Sequence, residues 1–359
     1  MTAIYSHPPS ISDRFRFRSK PVRADAIKVV IPTCNDWDGL RLTLDSLLKL
    51  TIPPKKICVA NDNPTNGVPD WLAQYPVEVV DYTGNLGPAR ARNKGFGLRD
   101  ELPIEKMLAG MLAAIDNRSG LPDYLRNGYC PELKYRDHDK APKSFEWESD
   151  TDWVYFTDCG CTHVPDLFTR FEEAWRSSGD CCVAISAPVT GSGPGLINEY
   201  MTDQGHLNLP RIKQTKEEQE KHGISLPEAI ITANALIAAL PFAFLGGFDP
   251  AFPEAAGEDL DLGIRLREFG IIAWADKAIV AHRFDEDEAD FTKRFRRYGR
   301  GARRLELKHG LPSMRSNPFP ADRKDHPGHQ RLATLAHEAM SAGYDEIVDE
   351  ADRGVLRII

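Results

Sequence analysis

The chain has 359 residues, 42% of them hydrophobic and 27% charged, with 45 Lys+Arg against 53 Asp+Glu and a formal charge of -8. That balance argues against bulk electrostatic binding to nucleic acid or to an anionic membrane, and the length suffices to bury a large core without staples. No apolar run approaches the ~20 residues that span a bilayer, since Thr232, Asn234 and Pro241 interrupt the longest candidate.

Residues 1–26 carry Arg14, Arg16, Arg18, Lys20 and Arg23 among prolines and polar residues, and read as an N-terminal arm. The start of the chain has no hydrophobic signal core, which predicts a cytoplasmic protein. The seven cysteines are odd in number and contain no C-x-x-C pair. They are expected to be reduced, mostly buried thiols.

From Ile27 short β-branched runs alternate with helical spacings. Ile27 to Pro32, Lys56 to Ala60 and Val77 to Tyr82 read as strands, and Trp37 to Leu50 and Ala89 to Leu98 as helices. Residues 100–149 break this rhythm and read as an insertion with one helix and a long loop. Trp153 to Phe156 and Cys181 to Ala187 are the next strands, separated by a helix from Pro165 to Ser177. The segment 191–195 reads as a flexible glycine-rich loop, 229–235 as a strand, Gly257 to Phe269 as a helix and 291–307 as a basic helix. Helical spacing returns from about Gln330 to Ala342. Alternating strands and helices predict a mostly parallel sheet covered on both faces.

Ligands of open α/β sheets sit beyond the carboxyl ends of the strands. The residues there are Pro32-Thr33-Cys34-Asn35, Asn61-Asp62-Asn63, Thr157-Asp158-Cys159-Gly160 and His282. Asp62 alone reads equally as a turn former, and Arg92 as one half of a surface ion pair. Glu258 and Asp259 follow Gly257 at a helix start, where the helix dipole favours carboxylates.

In their order these pieces resemble the family 2 glycosyltransferases, over roughly residues 27–305. Val29-Val30-Ile31-Pro32-Thr33-Cys34-Asn35 resembles the opening strand, and Asp62 the second acid of the pair that ends the second strand. Asn85-x-Gly87-x-Ala89-x-Ala91-Arg92-Asn93-x-Gly95 resembles the helix with a donor-binding Arg. Asp158-Cys159-Gly160 sits where an Asp-x-Asp motif belongs. Gly246-Gly247-Phe248-Asp249, Gly257-Glu258-Asp259-x-Asp261-Leu262 and Ala281-His282 resemble the acceptor-side motifs and the late His.

The resemblance implies an α/β fold of GT-A type, with a mostly parallel Rossmann-like sheet flanked by helices. A catalytic unit over 27–307 would contain the insertion, and 308–359 would form a C-terminal helical extension. It implies an inverting transfer from a nucleotide-diphosphate sugar, a UDP-sugar first among donors, to a small-molecule, glycan or peptide acceptor. Pro32, Thr33, Asn35, Asp62, Arg92, Asp158, Gly246 and Gly247 would bind the donor. Asp259 would be the base, and Glu258 would orient the acceptor or the loop. Asp261 is left as a helix-turn partner. A homodimer is compatible with this reading.

The chain departs from the family at Gly160, where a metal-binding Asp is usual. Mn²⁺ or Mg²⁺ could rest on Asp158 and His282 with diphosphate oxygens, His163 could assist, or protein cations alone could neutralise the leaving group. Cys159 and Cys161 are an outside reading as soft-metal ligands. The basic helix reads either as a solvated face balanced by the acids of 285–290 or as a lid whose cation meets the diphosphate. Two other classes are a non-catalytic sugar-nucleotide or glycan binder and a nucleotidyltransferase; the latter lacks its phosphate loop after the first strand.

Overall fold

The computed structural model describes residues 17–63, 67–81, 84–98, 151–208, 229–311, 313–315 and 325–352. The whole 100–149 insertion and residues 1–16 of the N-terminal arm lie outside the described residues. The strands are β1 Ile27–Thr33, β2 Lys56–Asn61, β3 Glu78–Asp81, β4 Trp153–Phe156, β5 Cys161–His163, β6 Cys182–Ser186, β7 Val189–Ser192, β8 Ala235–Ala238, β9 Ile271–Trp274 and β10 Val280–Arg283. The helices are α1 Trp37–Leu47, α2 Pro88–Phe96, α3 Leu167–Ser178, α4 Leu196–Gln204, α5 Ala239–Phe244, α6 Glu258–Leu266, α7 Glu288–His309 and α8 Pro327–Asp352.

Seven strands form the main sheet in the order β3-β2-β1-β4-β8-β6-β9. Only β8 runs antiparallel to its neighbours β4 and β6; the other pairings are parallel. Side chains alternate across the strands as a period of two requires. Val29, Ile31, Trp153 and Tyr155 face the layer that contains Leu40, Leu44 and Phe171. Val30, Val154 and Phe156 face the layer of Phe242, Phe248 and Leu262. Each fully buried side chain of this kind contributes about 1.5–3 kcal/mol. This is the expected α/β arrangement, a mostly parallel sheet covered on both faces.

Three details differ from the sequence reading. The strand expected at 229–235 lies instead at Ala235–Ala238, because Thr232–Asn234 turn as a 3-10 helix. Buried Asn234 fixes that turn: its amide donates to the carbonyls of Pro188 (2.9 Å) and Ala278 (2.7 Å) and accepts from the Tyr155 hydroxyl (3.0 Å). The 191–195 segment is not merely a loop. Gly191 and Ser192 belong to β7, which joins β10 and β5 in a small second sheet. A Cβ at Gly191 would overlap Thr202, so glycine is what lets β7 lie against α4.

The C-terminal helix is longer than its spacing suggests. It packs along α7 at two glycine contacts: Gly299 lies against the Met340 carbonyl and Gly343 against that of Arg296. Phe291, Phe295, Tyr200, Leu332 and Ala336 form a third apolar cluster that joins α4, α7 and α8. The stretch after residue 16 is anchored, with Phe17 and Ser19 donating backbone N–H groups to Phe269 and Asp180.

Candidate active site

Parallel pairing sets Thr33 beside Asn61 and brings the ends of β1, β2 and β4 to one edge of the sheet. β1 runs out through Pro32 and buried Thr33. Asn35 follows with φ +67°, the one non-glycine residue in the left-handed region among the described residues, a conformation Asn tolerates better than most. Asp36 then caps α1 by accepting the Gly39 N–H at 2.9 Å.

Asp62 is buried, and its two oxygens accept the N–H groups of Leu86 (3.0 Å) and Gly87 (2.8 Å). Burial pushes its carboxyl pKa up, against the pull of these donors. Asp62 therefore pins the loop that leads into α2, while a carboxylate of about four lone-pair sites retains acceptor capacity. Gly87 has φ +92°, and a Cβ there would overlap the Pro253 carbonyl.

α2 carries Arg92 inward, where it is 3% exposed. Its guanidinium donates to Asp158 Oδ1 and to Glu258 Oε1, each at 2.8 Å, and lies 5.5 Å from the Phe248 ring centroid. Arg92 is thus ion-paired, but in the interior and with two acids rather than at the surface with one. One cation against two carboxylates leaves net negative charge at the end of β4.

Asp158 keeps 30% of its side chain exposed. His282 stacks on Phe284 at 4.6 Å, and its buried Nδ1 has no hydrogen-bond partner among the described residues. Burial lowers the His282 pKa while the Asp158 charge opposes that shift. A neutral imidazole is a competent ligand. By donor chemistry, one carboxylate and one imidazole are groups that a divalent ion takes, with further oxygens to come from a phosphate-bearing ligand. Among the described residues no third His, Cys, Asp or Glu joins the two in a ligand cluster.

The other metal readings do not fit. His163 has Nδ1 on Ser46 Oγ (3.0 Å) and Nε2 on Thr157 Oγ1 (3.1 Å), and burial drives its pKa down to about 3. Burial pushes the Cys161 thiol up to about 12 and that of Cys159 higher still, which disfavours the thiolate that a soft metal takes. Gly160 has φ +81°, donates its N–H to the Gly39 carbonyl, and accepts from Arg283. A Cβ there would sit 3.4 Å from that of Arg283. The left-handed backbone at this position favours glycine.

Glu258 and Asp259 open α6 and part company. Glu258 is 3% exposed and spends Oε1 on Arg92, so it faces inward. Asp259 is partly exposed and accepts the Leu260 N–H at 2.8 Å through Oδ1. Burial, then the Glu258 charge, push the Asp259 pKa up to about 7. Asp261 is fully buried and accepts from Arg265 at 2.7 Å, from Lys308 at 2.6 Å and from His309 at 2.8 Å. Burial acts to raise its pKa, but these cations hold it far below the carboxylate range. It is the helix partner foreseen, with a second tie to the end of α7 that was not.

Gly246 and Gly247 both have φ +72°. Asn93 holds this turn by exchanging two hydrogen bonds of 2.8 Å with the Phe248 backbone. Arg265 donates to the Gly247 carbonyl at 2.9 Å from the other side. A Cβ on Gly247 would overlap Asn93 Oδ1, whereas one on Gly246 meets nothing. Gly247→Ala is therefore expected to cost about 2 kcal/mol or more, and Gly246→Ala only about 1 kcal/mol of left-handed strain. Chemical-denaturation midpoints check this ordering; equal losses would contradict it.

The cations of α7 are largely spent on acids. Arg294 pairs with Glu286, Arg296 with Glu346, Arg300 with Glu254 and Glu346, and Arg304 with Glu254. The balanced-face reading holds for these residues, although Glu254 and Glu346 lie outside the acidic stretch 285–290. Arg297, beside Lys293 in a shallow basic depression, has no carboxylate partner within ion-pair distance among the described residues.

Residues 28–98 match the family model described as Glycosyl transferase family 2. That segment runs from β1 through α2 and carries Asp62 and Arg92. No curated protein matches the chain. Among solved structures, the mannosyltransferase PcManGT from Pyrobaculum calidifontis with GDP-Man and Mn²⁺ is similar at 12% identity and TM-score 0.48, over 96% of this chain and 81% of that one. GalNAc-T7 with UDP, GalNAc and Mn²⁺ is similar at 13% identity and TM-score 0.48, over 94% of this chain and 57% of that one. Residues 1–349 of S. aureus TarS with UDP show 13% identity and TM-score 0.43, with 91% of each chain covered.

Proposed function

We propose that this glycosyltransferase inverts the anomeric centre in a single in-line displacement, with Asp259 as the base. The observation that carries the reading is the carboxylate pair at the start of α6. Glu258 is buried on Arg92, while Asp259 is partly exposed with its pKa raised to about 7. A base is most effective when its pKa lies near the operating pH.

In this reading Pro32, Thr33, Asn35 and Asp62 line the nucleoside side, and the Gly246–Gly247 backbone lies near the sugar. Asp259 takes the proton of the acceptor hydroxyl as its oxygen bonds the anomeric carbon. The bond to the diphosphate breaks on the opposite face, and the nucleoside diphosphate leaves. Asp158 and His282 would hold Mn²⁺ or Mg²⁺, which when bound supplies positive charge beside the leaving group. Arg92 positions Asp158 and Glu258 from beneath. The acceptor is a small molecule, glycan or peptide, and the site of action is the cytoplasm. No helix among the described residues is long and apolar enough to cross a membrane.

The test offers a panel of nucleotide sugars with candidate acceptors and measures nucleoside diphosphate release. Release with wild type but not Asp259→Asn is expected. Binding without release by wild type would instead favour a non-catalytic binder. A thermal-shift series of UDP, GDP, CDP and dTDP, each with and without Mn²⁺, addresses donor base and metal together, because a ligand of the native state raises apparent stability by mass action. The expected result is one preferred nucleotide whose shift grows with Mn²⁺ and shrinks in Asp158→Asn. A shift that ignores Mn²⁺ would remove the metal role.

A further inference from the structure

The geometry points to a second metal site, built by Glu199, His326 and His329 where α4 meets the start of α8. Each residue offers one ligand atom, and the three atoms lie within 4.8 Å of one another. A tetrahedral ion with bonds near 2.1 Å needs donors about 3.4 Å apart, so modest side-chain rotations close the set.

Local sequence explains the convergence. His326-Pro327-Gly328-His329 puts two imidazoles three positions apart across the first turn of α8, with Pro327 at its first position. Gly328 lets the helices approach closely: a Cβ there would lie 2.7 Å from Leu196 Cδ2 on α4 and 3.1 Å from His326 Cε1, so those side chains would have to shift. The imidazole rings end 4.6 Å apart. On α4, Glu199 and Asp203 are one turn apart on one face. Asp203 Oδ2 lies 3.9 Å from His329 Nδ1, beyond hydrogen-bond distance but near enough to become the outer carboxylate that commonly orients a metal-bound imidazole after a small rotation.

The burial gradient suits a metal centre with one open side. His329 is fully buried, His326 is partly exposed and Glu199 is exposed. Two imidazoles and a carboxylate select a borderline ion, Zn²⁺ before Mg²⁺ or Ca²⁺. The donor set therefore differs from the Asp158–His282 pair, and the residues are separate from it. A bound ion would fasten α8 to α4, alongside the apolar contacts of Tyr200 and Met201 with Leu332 and Ala336. α4 in turn follows β7, which pairs with the strand that carries His282.

The experiment uses the full chain, stripped with chelator and free of nucleotide. Calorimetric titration with Zn²⁺ and elemental analysis after dialysis are expected to show one tightly held ion per chain, and Zn²⁺ should raise the melting temperature. His326→Ala and Glu199→Gln are each expected to weaken Zn²⁺ binding roughly tenfold or more, while Asp158→Asn leaves it unchanged. These two variants carry the test because their side chains reach solvent, whereas buried His329 could fail to fold when replaced. Absence of saturable Zn²⁺ binding by wild type overturns the site. So does binding that survives both variants, or binding lost only in Asp158→Asn.

Discussion

Asp259→Asn is expected to lower turnover by roughly 10²–10⁴-fold, the range that a positioned base contributes, while nucleotide binding stays near wild type. The amide retains the shape and the Leu260 N–H bond but accepts no proton. The pH dependence supplies an independent check. With a pKa of about 7, wild-type turnover should rise through neutrality in proportion to the ionised fraction, and the variant should lose that limb. The stability sign is opposite. A carboxyl whose folded pKa is raised stabilises the fold below its unfolded pKa, and that contribution is lost as pH climbs from about 4 to about 7. Asp259→Asn escapes the loss and should be at least as stable as wild type at pH 8, so inactivity there cannot be ascribed to unfolding. Near wild-type turnover would remove Asp259 from the chemistry.

Arg92→Leu is expected to destabilise the protein by about 3–5 kcal/mol, because it strands Glu258 in the interior. Asp158 suffers less, since part of its side chain already meets solvent. Arg92→Lys should recover little: an ammonium cannot present two separated donors to two acids as a planar guanidinium does. A second change, Glu258→Leu in the Arg92→Leu background, removes the stranded charge and should restore much of the lost stability without restoring transfer. Urea unfolding of the three variants separates these outcomes. A loss below about 1 kcal/mol in Arg92→Leu would mean that these interior ion pairs are not what ties α2 to the end of β4 and the start of α6.

The elements that position the site were legible because they rest on local pattern. The runs ending at Thr33, Asn61 and Phe156 alternate between two core layers, and each stops at a polar residue. Pairings over long separations were not legible. Arg92 reads from sequence as a ligand or a surface cation, and nothing near it announces Asp158 and Glu258. The acids that occupy α7, Glu254 and Glu346, are equally remote. Asn234 could have been found: a lone amide in an otherwise apolar stretch demands partners once buried. Asn93 was visible within the Arg92 motif, yet its task, holding the Phe248 turn, depends on a segment 155 residues away. The left-handed turn at Gly160 exists only in three dimensions.

The interior position of Arg92 also bears on how the chain acquires its structure. Its partners lie 66 and 166 residues further along, and the family-matched segment ends at residue 98, before either has been synthesised. Contacts so distant in sequence make folding slow, and here they leave a guanidinium without its counter-charges until the second half of the sheet has docked. Refolding should therefore show the acid–base tie forming late, and residues 28–98 expressed alone should not reach a stable fold.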